Sequence, residues 1–80
     1  MILVGIDIGK NQHTFSIIDK GTGEVLSNPS LFNNNQEGFL LLIKKLSSYA
    51  KSELLIGMED TGHYHFALLK YLLDSHYTVA

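Results

Sequence analysis

The sequence contains no cysteine, which excludes disulfide bonds and zinc sites built on thiolates. It also contains no arginine, and its six lysines face eight carboxylates, giving a formal net charge of −2. Phosphate binding needs clustered cations. These residues are therefore not expected to hold nucleic acid strongly unless a metal ion or further protein segments contribute.

Long apolar runs are missing as well. No stretch approaches the roughly 20 residues that span a bilayer. The opening MILVGIDIGK lacks the basic start and uninterrupted apolar core of a secretion signal. We therefore expect a cytoplasmic protein that makes no membrane contact. The hydrophobic share of 45% nevertheless predicts one compact globular domain, with the marginal core of a chain this short.

Residue patterns along the chain predict the element order β-β-β-α-β-α-β. Three strands, at 1–8, 13–19 and 24–32, are separated by tight turns, and Pro29 puts the third strand at a sheet edge or ends it early. The first strand is so apolar that we expect both of its faces to be covered. A fourth strand is predicted at 53–58, and residues 76–80 resemble the opening of a fifth. We expect residues 1–80 to be the amino-terminal part of one domain in a longer protein.

Two helices are predicted between these strands. One of the three asparagines at 33–35 should cap the first helix, which begins at Gln36. Its buried stripe should contain Phe39, Leu40, Leu42, Ile43 and Leu46. Asp60 or Thr61 should cap the second helix, which carries Tyr64, Leu68, Leu69 and Leu72. Because a helical crossover follows the third strand, the first and fourth strands should be parallel and end at the same sheet edge.

Two carboxylates, Asp7 and Glu59, are predicted to meet at that edge. Asp7 lies late in the first strand and Glu59 directly follows the fourth, where ligands of open sheets gather. Hard divalent cations bind such oxygens. Two ions about 4 Å apart can activate a nucleophile and stabilise a leaving oxygen in phosphodiester cleavage. Spacing alone leaves open whether the two strands are direct neighbours.

Each carboxylate also has a structural interpretation. An unpaired buried charge is costly, so an acid within an apolar strand needs a partner or a metal. Asp7 could accept backbone hydrogen bonds from the turn at Gly9 and Lys10. Glu59 could stabilise the start of the second helix, with Asp60 as its cap.

Other common site motifs are absent from the sequence. Neither a P-loop nor a GxGxxG motif occurs, and scattered residues support no serine–histidine triad. The histidines, at positions 13, 63, 65 and 76, do not have the spacing of a zinc site. His63 and His65 are interpreted as polar surface or cleft residues, and His13 receives no role.

Three segments carry a family resemblance: Gly5 to Lys10 with His13 after them, Asn35 with Gly38 and Phe39, and the MEDTGHY stretch at 58–64. Together they resemble the amino-terminal part of transposases of the IS110 and IS1111 family. The Glu-x-Thr-Gly-x-Tyr piece is the most specific part, and the resemblance covers essentially all 80 residues. It implies an α/β RuvC-like domain with the ribonuclease H fold. Its mixed sheet would have the order 3-2-1-4-5, truncated here at the start of strand 5.

The resemblance implies a metal-dependent DNA transposase or recombinase of an insertion sequence. In the family an Asp-Glu-Asp-Asp set binds Mg²⁺, and Asp7 and Glu59 match its first two positions. Both are therefore expected to be catalytic and to bind Mg²⁺ or Mn²⁺ in a two-ion site completed beyond Ala80. Lys10, Thr61 and Tyr64 are the expected nucleic-acid contacts.

The family also implies parts that lie outside these residues. They are a guide RNA and a nucleophilic serine in a carboxyl-terminal domain. The implied substrate is DNA, and the whole protein is expected to form a homo-oligomer. Residues 1–80 alone should accordingly be inactive.

Two other functional classes remain open. An actin-like ATPase or sugar kinase has the same order of elements and a similar first aspartate. Those proteins usually continue with Gly-Thr or Gly-Ser, where Lys10 and Asn11 stand here. A RuvC-like junction resolvase, or a nuclease-derived binding module without catalysis, would also fit.

Overall fold

The computed structural model describes residues 1–59 and 62–80, in which two helices pack on one face of a four-stranded sheet. The strands are β1 (Ile2–Asp7), β2 (Gln12–Asp19), β3 (Val25–Asn33) and β4 (Leu54–Met58). The helices are α1 (Gln36–Leu46) and α2 (Phe66–Asp74), and a short 3-10 turn (Lys51–Glu53) precedes β4. The sheet order is β3-β2-β1-β4, with β1 antiparallel to β2 and parallel to β4. The predicted α/β fold class is confirmed.

Alternation along β1 determines which face of the sheet carries the core. Ile2, Val4 and Ile6 are buried, whereas Gly5 and Asp7 are exposed. The helices contribute to the same cluster Phe39, Leu42, Leu46, Leu68 and Leu72. Each fully buried leucine stabilises the fold by about 1.5–3 kcal/mol. The expectation that both faces of β1 are covered is wrong for the described residues, because only one face packs against helices.

The first helix follows the prediction except at one position. Asn35 caps α1 by accepting a hydrogen bond from the Gly38 N–H at 2.8 Å. Leu40, however, is 53% exposed, so its place in the buried stripe is wrong. It lies about 100° around the helix from Phe39, on the side away from Leu42.

The second helix begins later than expected. It starts at Phe66, so Tyr64 precedes it instead of lying on it. The predicted capping residues, Asp60 and Thr61, lie outside the described residues. In the part of the chain that is described, neither helix is long and apolar enough to cross a membrane.

Both edges of the sheet agree with the prediction. β3, which carries Pro29, is the edge strand on one side. On the other side, the Ile56 N–H donates to the Thr78 carbonyl at 3.0 Å, and the Ala80 N–H donates to the Ile56 carbonyl at 2.8 Å. These bonds form a parallel bridge between Ile56 and Val79. The last residues therefore pair with β4 at the position predicted for the fifth strand.

Helix α2 ends in a turn that carries a strained histidine. The Tyr77 N–H donates to the Leu72 carbonyl and the His76 N–H to the Leu73 carbonyl, both at 3.0 Å, in the Schellman pattern. His76 has φ 67°, a left-handed conformation that costs a residue with a Cβ about 1–2 kcal/mol.

Replacing His76→Gly should therefore raise the free energy of unfolding by roughly 1 kcal/mol. Urea denaturation followed by circular dichroism measures this change. The matched control is Ser75→Gly, one residue earlier at φ −89°, where the same loss of side chain relieves no strain. Equal effects of the two substitutions would contradict the explanation.

Gly38 lies where the first turn of α1 crosses the end of β3. A Cβ at this position would overlap the backbone of Asn33, including its carbonyl oxygen. The start of α1 therefore packs against β3 only if residue 38 has no side chain.

We expect Gly38→Ala to lower the free energy of unfolding by roughly 3 kcal/mol or more, because backbone atoms must move to admit the methyl group. Gly57→Ala is the control, since a Cβ there meets nothing within 4 Å. Urea unfolding of both variants tests the difference. A Gly38→Ala protein as stable as Gly57→Ala would show that the junction has more room than the structure indicates.

Candidate functional site

Asp7 and Glu59 occupy equivalent positions at the ends of two neighbouring parallel strands. The register pairs Ile6 with Met58, so the next residue on each strand is a carboxylate. The Glu59 N–H donates to the Ile6 carbonyl at 3.3 Å, which extends the ladder past its last pair. Neighbouring strands lie about 4.8 Å apart. The backbone thus brings the two acids side by side.

Both carboxylates lie on the sheet face opposite the helices. Ile6 is buried in the core and Met58 packs against it. Because successive side chains of a strand alternate between faces, Asp7 and Glu59 point the other way. Both are exposed, and both line a groove of about 340 Å³.

Small residues form the floor of this groove. Gly5 pairs with Gly57 across β1 and β4, and Ser16 pairs with Gly5 across β1 and β2. Thr14 lines the groove beside its partner Asp7. Glycine within a strand often marks a place where another chain or a ligand approaches the backbone closely. The groove therefore leads over accessible backbone to the two carboxylates.

The structure contradicts the purely structural roles considered for Asp7 and Glu59. Asp7 does not accept the turn hydrogen bond, because the Gly9 N–H donates to His13 Nδ1 at 3.1 Å. Glu59 does not stabilise a helix start, since α2 begins at Phe66 and no acidic residue lies in its first turn. Asp7 is also exposed, so the cost of burial does not apply to it. Within residues 1–59 and 62–80, neither carboxylate has a hydrogen-bond or ion-pair partner.

Two carboxylates suit a hard divalent cation but do not complete a site for one. Such ions take six or more oxygen ligands, several of them from water in the case of Mg²⁺. Among the residues that the structure describes, no three histidine, aspartate or glutamate side chains group closely enough to hold a metal ion. Asp7 and Glu59 could therefore form only part of such a ligand set.

The Asn34 side chain hydrogen-bonds to the backbone of two of the predicted nucleic-acid contacts, Lys10 and Tyr64. Its Nδ2 donates to the Lys10 carbonyl at 3.1 Å and to the Tyr64 carbonyl at 3.4 Å, and its N–H donates to the Asn11 carbonyl at 2.8 Å. Thr61, the third predicted contact, lies outside the described residues. The sequence analysis missed Asn34. The available signal was that one helix cap does not require three asparagines.

His13 holds the turn that follows Asp7. Its side chain is 1% exposed, and its ring centroid lies 5.3 Å from that of Phe32. Since Nδ1 accepts from the Gly9 N–H, the neutral ring carries its proton on Nε2. A Cβ on Gly9 would overlap the Gln12 carbonyl, so the turn is also closely packed. His13 is thus a core residue with one polar contact to the turn.

Exposed rings cluster between Glu59 and the body of α2. Tyr64 is 46% exposed and Phe66 is 57% exposed. The ring of His63 stacks on Phe66 at 6.1 Å, and His65 lies 4.3 Å from the same ring. Exposed flat rings are the groups on which unpaired bases stack.

Comparisons with known proteins agree with this fold. A family model for IS110 transposases of the DEDD type, described as "Transposase", matches residues 4–80. Among solved structures, T. thermophilus RuvC in complex with a Holliday junction substrate is similar, with a TM-score of 0.69 and 12% sequence identity. The match covers 99% of this chain and 62% of the RuvC chain. No curated protein matches the sequence.

Proposed function

Because this chain belongs to the IS110 family of DEDD transposases, we propose that Asp7 and Glu59 bind the catalytic metal of a DNA-cleaving active site. The reaction would be the cleavage and rejoining of DNA during excision and insertion of an insertion sequence. The observation that carries the proposal is the side-by-side position of Asp7 and Glu59 at the ends of β1 and β4. Residues 1–80 would act as the amino-terminal part of a longer protein and be inactive alone.

The ligand chemistry favours Mg²⁺ or Mn²⁺, which bind carboxylate oxygens and retain water. Bound as a pair, such ions would activate the attacking oxygen and stabilise the leaving oxygen. Asp7 and Glu59 would contribute to cation binding through their negative charge. Two carboxylates about 5 Å apart repel by roughly 1 kcal/mol in water, and a cation between them removes that repulsion. The third and fourth acids and the serine nucleophile would come from beyond Ala80.

DNA is the proposed substrate, and Lys10, Thr61 and Tyr64 are its proposed contacts. Lys10 is exposed in the turn that follows Asp7, where its cation would contact a phosphate. Tyr64 and Phe66 supply exposed rings for bases that have left the stack. Because the net charge of these residues is −2, most phosphate neutralisation must come from the metal and from other segments. A guide RNA and a homo-oligomer are proposed for the whole protein.

Junction resolution is a second candidate, favoured by the fold similarity to RuvC. Cleavage by the full-length protein of four-way DNA junctions that lack the ends of the insertion sequence would support junction resolution. The ATPase alternative is disfavoured, because family membership accounts for the same strand order and first aspartate.

Asp7→Asn and Glu59→Gln should each reduce excision by full-length transposase by about 100-fold or more, because each removes a proposed metal ligand. Excision of the element from a donor plasmid measures the loss, and circular dichroism verifies folding. Glu53→Gln is the control, since it removes one charge from the opposite end of β4, just before the strand begins. Wild-type excision by either of the first two variants would refute the assignment.

Lys10→Gln should reduce the slope of log DNA affinity against log salt concentration by about one, the contribution of one phosphate contact. Tyr64→Ala should leave that slope unchanged and weaken the binding of single-stranded DNA by about 1–3 kcal/mol. Fluorescence anisotropy over a range of salt concentrations separates the two effects. Lys20→Gln, in the β2–β3 turn at the other end of the sheet, should change neither quantity. Identical salt slopes for the two lysine variants would show that Lys10 makes no phosphate contact.

A further inference from the structure

We propose that His13 and Asn34 are positioning residues that keep the Asp7 carboxylate free for a metal and hold its turn against the turn after Glu59. The inference rests on the proposed function for its catalytic meaning. The hydrogen bonds on which it depends are independent of that function. We call this pair of residues the turn clamp.

The chain contains an internal comparison for the role of His13. Asp7-Ile8-Gly9 and Asp19-Lys20-Gly21 have the same Asp-x-Gly pattern at the end of a strand. After β2, the Gly21 N–H donates to Asp19 Oδ1 at 2.9 Å, so that carboxylate serves its own turn. This bond is the ordinary result for aspartate at a turn.

After β1 the same backbone group has a different acceptor. The Gly9 N–H donates to His13 Nδ1, and the Asp7 carboxylate has no hydrogen-bond partner among the described residues. His13 thus takes the turn hydrogen bond that Asp7 would otherwise accept. Its ring is fixed in the core against Phe32, so the core sets the position of the turn.

Asn34 extends this hold to the second turn. A side-chain amide has two N–H donors, and Asn34 Nδ2 contacts two carbonyls, those of Lys10 and Tyr64. Lys10 lies in the turn after Asp7, and Tyr64 lies in the turn that follows Glu59. One planar group therefore sets the spacing between the segments that follow the two acids. His13 lies on β2 and pairs with Phe32 of β3. Phe32 in turn lies two positions before Asn34.

Both clamp residues are present despite a cost in stability. His13 Nε2 and Asn34 Oδ1 are buried and have no hydrogen-bond partner within residues 1–59 and 62–80. A buried polar atom left unsatisfied costs about 1–3 kcal/mol. A fold selected for stability alone would place an apolar ring at position 13. Departures from local rules of this kind are expected beside functional sites.

The test of the first arm is His13→Phe in the full-length transposase. Phenylalanine preserves the ring contact with Phe32 but lacks the Nδ1 acceptor, which frees the Gly9 N–H to bond with Asp7. We expect the Mn²⁺ concentration for half-maximal excision to rise by roughly tenfold, about the effect of losing a supporting hydrogen bond at a metal site. The melting temperature should not fall, because the substitution also removes the buried Nε2 that has no partner among the described residues. His13→Asn, whose Oδ1 can replace Nδ1 as acceptor, should restore part of the metal affinity.

The test of the second arm is Asn34→Asp, which keeps the shape of the side chain and removes both amide donors. Asn33→Asp is the matched control. Among the described residues the Asn33 side chain uses only its Oδ1, which accepts from Gln12 Nε2 at 3.2 Å, and aspartate retains that oxygen. Amide hydrogen exchange without metal or DNA should be roughly tenfold faster in segments 8–11 and 62–65 of Asn34→Asp, as expected for the loss of about one hydrogen bond. Exchange in 54–58 should not change. Asn34→Ala removes the donors without adding charge and serves the same test if Asn34→Asp does not fold.

Unchanged exchange in both turns would overturn the clamp, whatever the variants do to excision. Faster exchange with unaltered metal dependence would overturn its link to the carboxylates. If Asp7→Asn itself leaves excision intact, the proposed function fails, and the exchange experiment still decides whether the clamp exists.

Discussion

The parallel pairing of β1 with β4 is the interaction on which the candidate site depends. It fixes Ile6 opposite Met58, and the next residue on each strand is an acid. A slip of one residue would turn one carboxylate towards the helices, because side chains alternate between the two faces of a sheet. Burial sets this register, since Val4 and Ile56, paired with each other, are both 0% exposed within the core. Packing well away from the acids therefore determines that they share a face.

The order and direction of the elements could be predicted because they follow from periodicity and connectivity. Short turns force antiparallel neighbours, and a helical crossover returns the chain in parallel. These rules placed Asp7 and Glu59 at one edge without any knowledge of family. They did not show that β1 and β4 are neighbours, which the family resemblance supplied. They also misplaced the start of α2, where His65 precedes the first helical residue and makes no side-chain capping bond.

Asn34, which no sequence pattern predicted, acts through long-range contacts. Asn34 bonds to carbonyls that are 24 and 30 positions away in the sequence. Such side-chain-to-backbone bonds have no period and no fixed spacing, so no pattern reveals them. The asparagine triplet illustrates the difficulty. Asn35 caps α1, Asn33 accepts a bond from Gln12, and Asn34 joins two turns, although the three residues are chemically identical.

The two ends of the sheet differ in how their polar groups are satisfied. At the end that carries Asp19, the carboxylate accepts from its own turn, and the turn closes on itself. At the end that carries Asp7, two like charges lie side by side, the groove floor is glycine, and two buried atoms lack partners in the described residues. Each of these features costs stability in the isolated fold, and a divalent cation would offset the charge repulsion directly. The unfavourable terms thus collect at the end of the sheet where the metal site is proposed, whereas the turn at the opposite end only closes the fold.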